Sequence, residues 1–213
     1  MSTRAGDEQL DELERALGRR RQEHGPDEDA AAGAARRLSA RVAAEGLADI
    51  SFGPVDSPFG TMLAAATNKG LVRLAFPEED VDGVLAGLSR RISPRIIEAP
   101  ASFDPLRREL DEYFEGRRQA FKLPQDWQLI RAFQRRVLGV TYAIPYGAVS
   151  SYGEVAADAG SPRGSRAAGN ALGSNPIPIV IPCHRVLRSG GVLGGYGGGP
   201  ERKRYLLNLE GFF

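Results

Sequence analysis

Cysteine is nearly absent from this chain. Cys183 is the only one among 213 residues, beside two histidines, one tryptophan and two methionines. A single thiol forms no intramolecular disulfide, and one cysteine with two histidines cannot build a Cys/His zinc site. No metal and no other cofactor is therefore expected. Long apolar runs are missing too, since none approaches the ~18–20 residues of a membrane-spanning helix. The start, Met1-Ser2-Thr3, runs into charged residues and lacks the apolar core of a signal peptide. The reading is a cytoplasmic protein with no membrane partner. Apolar residues make up 42% and charged residues 26%, which suits one large domain or two small ones around a true core.

The net charge is only +1, but it is unevenly spread. From Arg131 to the end the count is +6, and the remainder carries −5. Such a split suits a C-terminal half that meets a polyanion. Chance segregation on solvated faces would produce the same count.

Three segments differ in character. Residues 1–46, rich in Ala, Arg and acids, read as a helical extension. Leu10, Leu13 and Leu17 recur at helical spacing, and Gly25-Pro26 breaks the pattern. A second helix follows, with Asp27, Glu28 and Asp29 at its start and Arg36, Arg37 and Arg41 towards its end, as the helix dipole favours. Residues 47–125 read as a small α+β scaffold. Strands are predicted at Ile50–Val55, Thr61–Thr67 and Leu71–Phe76, separated by turn sequences, with helices at Val81–Arg91 and Phe103–Phe114.

Residues 126–213 carry the chemistry. A helix is predicted over Gln128–Val140, then a loop at Tyr142–Gly147. Ser151-Tyr-Gly-Glu154 is a capping box that starts a short helix, and Gly160-Ser161-Pro162 ends it. A further helix is expected from Arg163 to Ser174. The two helices around a Gly-containing turn make a helix-turn-helix candidate. In Asn175-Pro-Ile-Pro-Ile-Val-Ile-Pro-Cys-His-Arg-Val186, three prolines hem an apolar run. Prolines fix φ and remove donors, so a stiff, extended, buried segment is expected to deliver Cys183 and His184. Gly190–Gly199 follows, almost free of bulky side chains, so that its backbone can approach a ligand closely. Glu201–Glu210 reads as a charged closing helix. A cysteine beside a histidine is a buried structural pair or a nucleophile with its base. The rigid setting and the glycine loop favour the nucleophile, which needs a base or a nearby charge because a free thiol near pKa ~8.5 is mostly protonated at neutral pH.

Ile181-Pro-Cys-His-Arg-Val186 closely resembles the signature of the O6-alkylguanine-DNA alkyltransferases. Arg166–Asn175 looks like that family's recognition helix and asparagine hinge, and Tyr152, Tyr196 and Glu210 fall at matching positions. The resemblance spans residues 48–213 and is most specific from Tyr146 onward. It implies an RNase H-like N-terminal α+β domain and a C-terminal winged helix-turn-helix domain. It also implies transfer of an alkyl group, such as methyl, from guanine O6 to Cys183, once per molecule. By the same resemblance His184 is the general base through a water, Glu210 orients it, Asn175 holds the turn by the cysteine, and Tyr152 protonates the leaving guanine. The partner implied is double-stranded DNA with an alkylated guanine, bound by a monomer. The recognition helix would enter the minor groove with Ala167, Ala168 and Gly169. Arg166 would fill the space left by the flipped base, and Arg163 and Arg136 would meet phosphates. Val186, Tyr196 and Gly197 would read the guanine edge through the backbone. Mammalian relatives have serine where this chain has Gly197, so any hydroxyl contact there is lost. Three other readings compete: a non-catalytic lesion binder, which lacks the motif cysteine; an alkylation-sensing DNA-binding regulator, which needs sequence-specific binding; and a thiol hydrolase, which turns over repeatedly.

Overall fold

Turn sequences cut the first part of the chain into short strands, and the apolar residues on both faces of those strands decide what packs where. The computed structural model describes residues 45–213, with Gly33, Ala34 and Val42 before them. The chain divides after Ser39, and Ala40–Phe213 forms one unit. The helices expected around Leu10–Leu17 and Asp27–Arg41 lie outside the described residues.

Strands β1 (Ile50–Val55), β2 (Met62–Thr67) and β3 (Gly70–Ala75) form an antiparallel meander, close to the predicted positions. The register runs from Ile50 opposite Thr67 to Val55 opposite Met62, and β2 shifts against β3 at Ala65/Ala66. A fourth strand, β4 (Ile96–Glu98), joins β1 in parallel and was not foreseen, because three residues are too short to show a period. The order is β3-β2-β1-β4. Helix α1 (Val81–Arg91) starts where Asp80 accepts from the Gly83 N–H at 3.0 Å. Its Leu88 packs on Ile50, Ala65 and Val72, one face of the sheet. Helix α2 (Asp104–Phe114), preceded by a 3-10 turn at Pro100–Phe103, buries Leu106, Leu110 and Tyr113 in the larger core with Val55, Met62 and Leu74.

That core continues into the C-terminal half. Helix α3 spans Ala132–Tyr142, starting later than predicted. The Asp126 carboxylate captures the Gln128 N–H and side-chain amide at 3.0 and 2.6 Å, and this local turn competes with the helix. Helix α4 (Tyr152–Asp158) starts at the capping box read from the sequence, with both reciprocal hydrogen bonds made. Helix α5 spans Ser165–Gly173. A turn closed by Gly164 N–H on Ser161 O at 2.7 Å leaves Arg163 before the helix rather than in its first turn. Strands β5 (Ser150–Ser151) and β6 (Val186–Leu187) pair in parallel, and helix α6 (Pro200–Leu209) closes the chain. The fold is thus an N-terminal sheet-based α+β part with a C-terminal helical part. Among the described residues, no helix is long and apolar enough to cross a membrane.

Candidate active site

The segment Asn175–Leu187 is buried at every position. It was expected to be extended, and it instead folds tightly. Ile181 N–H bonds to Ile177 O at 2.9 Å and Val180 N–H to Pro178 O at 2.9 Å. Ile179 takes φ 72°, a left-handed backbone that a β-branched residue rarely adopts. Prolines on either side stiffen the turn, and burial of Ile177, Ile179 and Ile181 holds it. The sheet also grips it. Pro176 O accepts from Leu74 N–H at 2.8 Å and from Arg73 Nη1 at 3.1 Å.

This turn sets Cys183 at the start of a single 3-10 turn, Cys183–Arg185. Asn175 spans the gap. Its Nδ2 donates to Ile181 O at 2.9 Å and to Cys183 Sγ at 3.1 Å, and its Oδ1 accepts from Ile177 N–H at 3.0 Å. Burial pushes the Cys183 thiol up to about 11, while the Asn175 bond and the Lys203 charge act against that rise. The thiol lines a cavity of about 480 Å³, walled by Asn175, Tyr196 and Gly197 and, from the sheet side, by Arg73 and Phe76.

His184 is fully buried. Its Nε2 lies 2.9 Å from Glu210 Oε1, and an ionised carboxylate accepts only, so Nε2 carries the proton. Nδ1 then bears the lone pair, and it has no hydrogen-bond partner among the described residues. Burial lowers the His184 pKa despite Glu210, so the ring is neutral and able to accept a proton. For Glu210, burial acts to raise the pKa, yet hydrogen bonds from His184 and Arg185 hold it at about 2. The carboxylate collects Tyr113 OH at 2.6 Å, Arg185 Nε at 2.8 Å and Arg185 Nη2 at 2.9 Å. His184, Arg185 and Tyr113 thus share one buried carboxylate, while Cys183, next in the chain to His184, is held separately by Asn175.

Three members of this site were missed from the sequence. Tyr113 lies far away in the chain and reads as a core aromatic. Arg185 stood inside the quoted motif, and an arginine in an otherwise apolar, buried run was the available signal. Lys203 looked like one more charge on α6, yet it is fully buried, with Nζ donating to Val186 O at 2.5 Å.

The remaining candidates lie outside this network. Tyr152 donates its hydroxyl to Gly195 O at 3.2 Å, and its ring lies so near Gly194 that a Cβ there would stand 2.5 Å from the hydroxyl. Gly169 of α5 is next to the same ring. Arg163, Arg166 and Ala167 are exposed. Ala168 is not: it is fully buried and packs into the core, so as a groove-facing residue it is corrected. Arg136 spends its Nε on Ala159 O at 2.9 Å, at the carbonyl end of α4. The Tyr196 hydroxyl is buried without a hydrogen-bond partner among the described residues.

A helix-turn-helix carrying exposed arginines, fused to a buried cysteine with its own imidazole and carboxylate, defines a DNA-acting protein with a thiol nucleophile. Residues 50–127 match the family model of the 6-O-methylguanine DNA methyltransferase ribonuclease-like domain, and residues 132–212 match that of its DNA binding domain. The chain belongs to the 6-O-methylguanine DNA methyltransferase family. It is 39% identical over 161 residues to the methylated-DNA–protein-cysteine methyltransferase of Mycolicibacterium paratuberculosis, covering 76% of this chain and 92% of that one. It is 36% identical to the inducible enzyme of that name from Bacillus subtilis, over 68% of this chain and 82% of that one. The structure of Mycobacterium tuberculosis OGT in complex with DNA superposes with a TM-score of 0.65 at 38% identity, covering 75% and 92% of the two chains.

Proposed function

We propose that this protein repairs DNA by moving the alkyl group from O6 of an alkylated guanine to Sγ of Cys183, once per molecule. The observation that carries this reading is the burial of the only cysteine against a donating Asn175 amide, beside a neutral imidazole fixed by Glu210. The thiol proton passes to His184 Nδ1 through a water. Glu210 stabilises the resulting imidazolium, and Asn175 stabilises the thiolate. The sulfur then attacks the alkyl carbon in line. The new S–C bond forms as the C–O6 bond breaks, and its electrons return to guanine. Tyr152 supplies a proton to the leaving base. The thioether has no route back, so each molecule acts once.

The target atom lies inside the base stack, so the nucleotide is flipped out at a cost of a few kcal/mol. Arg166, exposed in the first turn of α5, fills the space it leaves. Arg163 meets phosphate, and Ala167 and Gly169 allow close approach. Val186 is fully buried with its carbonyl taken by Lys203, which corrects it as a base contact; Tyr196 and Gly197, which line the cavity of Cys183, contact the base edge. Residues 47–125 act as scaffold and residues 126–213 bind DNA and transfer the alkyl group, as a monomer without a cofactor. Single-turnover repair of a duplex with one O6-methylguanine tests the reading: repaired guanine should stop at one equivalent of protein. Continued turnover would identify a hydrolase. Arg166→Ala should slow repair of the duplex far more than repair of the same lesion in a single strand. Equal rates on the duplex for both proteins would remove the flipping role.

A further inference from the structure

The turn that follows β3, Phe76-Pro77-Glu78-Glu79, carries two neighbouring acids, and each one reaches the Cys183 cavity through an arginine. Glu79 N–H closes the turn on Phe76 O at 3.0 Å, and Glu79 Oε1 accepts from Phe76 N–H at 2.9 Å. The other Glu79 oxygen pairs with Nη2 of Arg73. Nη1 of the same guanidinium donates to Pro176 O at 3.1 Å, beside the Leu74 N–H bond to that carbonyl at 2.8 Å. Pro176 follows Asn175, whose amide donates to Cys183 Sγ at 3.1 Å. Glu78 works on the glycine loop. Both of its oxygens pair with the Arg202 guanidinium of α6, one of them at 2.8 Å, and Arg202 Nη1 also donates to Gly198 O at 3.2 Å. Gly198 follows Tyr196 and Gly197, which line the cavity.

Phe76 sits between these two ties and lines the same cavity. Its ring meets that of Tyr196 edge-on at 5.9 Å, and the Arg202 guanidinium stands 4.9 Å from its centre. A Cβ on Gly198 would come within 2.7 Å of the ring, so the loop is seated on Phe76 as closely as glycine permits. Neither ion pair is deeply buried: the Glu79 side chain is 36% exposed and that of Glu78 65%. Pairs so placed add little to stability. What they supply is direction, because a carboxylate that holds one edge of a guanidinium fixes where its remaining N–H groups point. We propose that Glu78 and Glu79 are positioning residues for alkyl transfer. Through Arg202 and Arg73 they tie the Gly198 and Pro176 carbonyls to one turn, and so fix the gap in which the thiol meets the base.

The inference rests on Cys183 as the alkyl acceptor and gives the N-terminal part a share in the site. The test is single-turnover methyl transfer from a duplex containing one O6-methylguanine, with protein in excess over a concentration series. It yields a transfer rate at saturation and a half-saturating concentration. Wild type is compared with Glu78→Gln, Glu79→Gln, the double variant, and Arg202→Met, which keeps an apolar stem on Phe76 without the bond to Gly198 O. The saturating rate should fall about threefold in each single variant and about tenfold in the double variant, because small misplacements of reacting groups are costly. The half-saturating concentration should stay within about twofold of wild type, since the exposed Arg163 and Arg166 are untouched. An unchanged saturating rate in the double variant overturns the proposal. So does a raised half-saturating concentration at an unchanged rate, which would make the acids part of DNA binding. If Glu79→Gln does not fold, Glu78→Gln and Arg202→Met carry the same test at the more exposed pair, and wild-type rates in both overturn it. Failure of the Cys183 assignment looks different: the wild type itself would gain no methyl from the duplex.

Discussion

The two sides of Cys183 are built on opposite plans. On the inner side, His184, Arg185, Glu210 and Tyr113 are buried and tied to one carboxylate, with distances between 2.6 and 2.9 Å. On the outer side, Arg163, Arg166 and Ser189–Gly191 are exposed, and Val192 is 57% exposed. In the proposed mechanism the inner side supplies proton transfer and charge stabilisation, which work best when dipoles and charges are fixed before the reaction. In the same proposal the outer side meets the DNA, and its exposed polar groups are left for that partner to satisfy. The comparison implies that inner substitutions cost stability and transfer together, whereas outer substitutions cost little stability.

The largest effect is expected at Glu210. Glu210→Ala leaves the Arg185 guanidinium buried and unpaired, and should destabilise the protein by about 3–5 kcal/mol, read by urea unfolding. The same network sets the acid limit. Glu210 is held near 2 against 4.5 for the free group, so its contribution is present above pH 4.5 and is lost as pH falls towards 2. His184 adds to this, because its lowered pKa means that the unfolded chain binds the proton first as pH drops below 6.5. Wild-type stability should therefore fall from pH 7 to pH 3, and the slope should be shallower in Glu210→Ala. A parallel fall in both proteins would contradict the assignment.

Asn175→Ala comes next. It strands the buried Ile177 N–H and removes a donor from sulfur, at a cost of about 1–3 kcal/mol. It should also raise the pH at which Cys183 is labelled, since the amide favours the thiolate. The smallest effect belongs to the outer side. A Cβ at Gly197 would meet only Gly173 O, at 3.7 Å. Gly197→Ser should shift stability by no more than about 0.5 kcal/mol, measured by thermal melting. A loss comparable to that of Asn175→Ala would break the distinction between the two sides.

The sequence made the outer side and the nucleophile legible because their signals are local. The capping box at Ser151–Glu154, the turn at Gly160-Ser161-Pro162 and the Pro-Cys-His string each declare themselves within a few neighbours. The inner network does not. Tyr113 reaches Glu210 across 97 positions, and nothing near Tyr113 marks it as other than core. Lys203 hides for a related reason: only tertiary packing turns a charge on a polar helix into a buried one. The Ile177–Ile181 run was misread as extended because prolines fix φ without fixing the turn, and the left-handed Ile179 is stabilised by burial that no local pattern reports. Ala168 was assigned to the groove on size alone, and the helix phase turns it inward.

The most direct test of the account is intact mass and peptide mapping after incubation with a duplex containing O6-methylguanine. The account predicts one added methyl per protein molecule, located on Cys183 and absent from Cys183→Ala. A folded wild-type protein that binds this duplex and gains no methyl would contradict it.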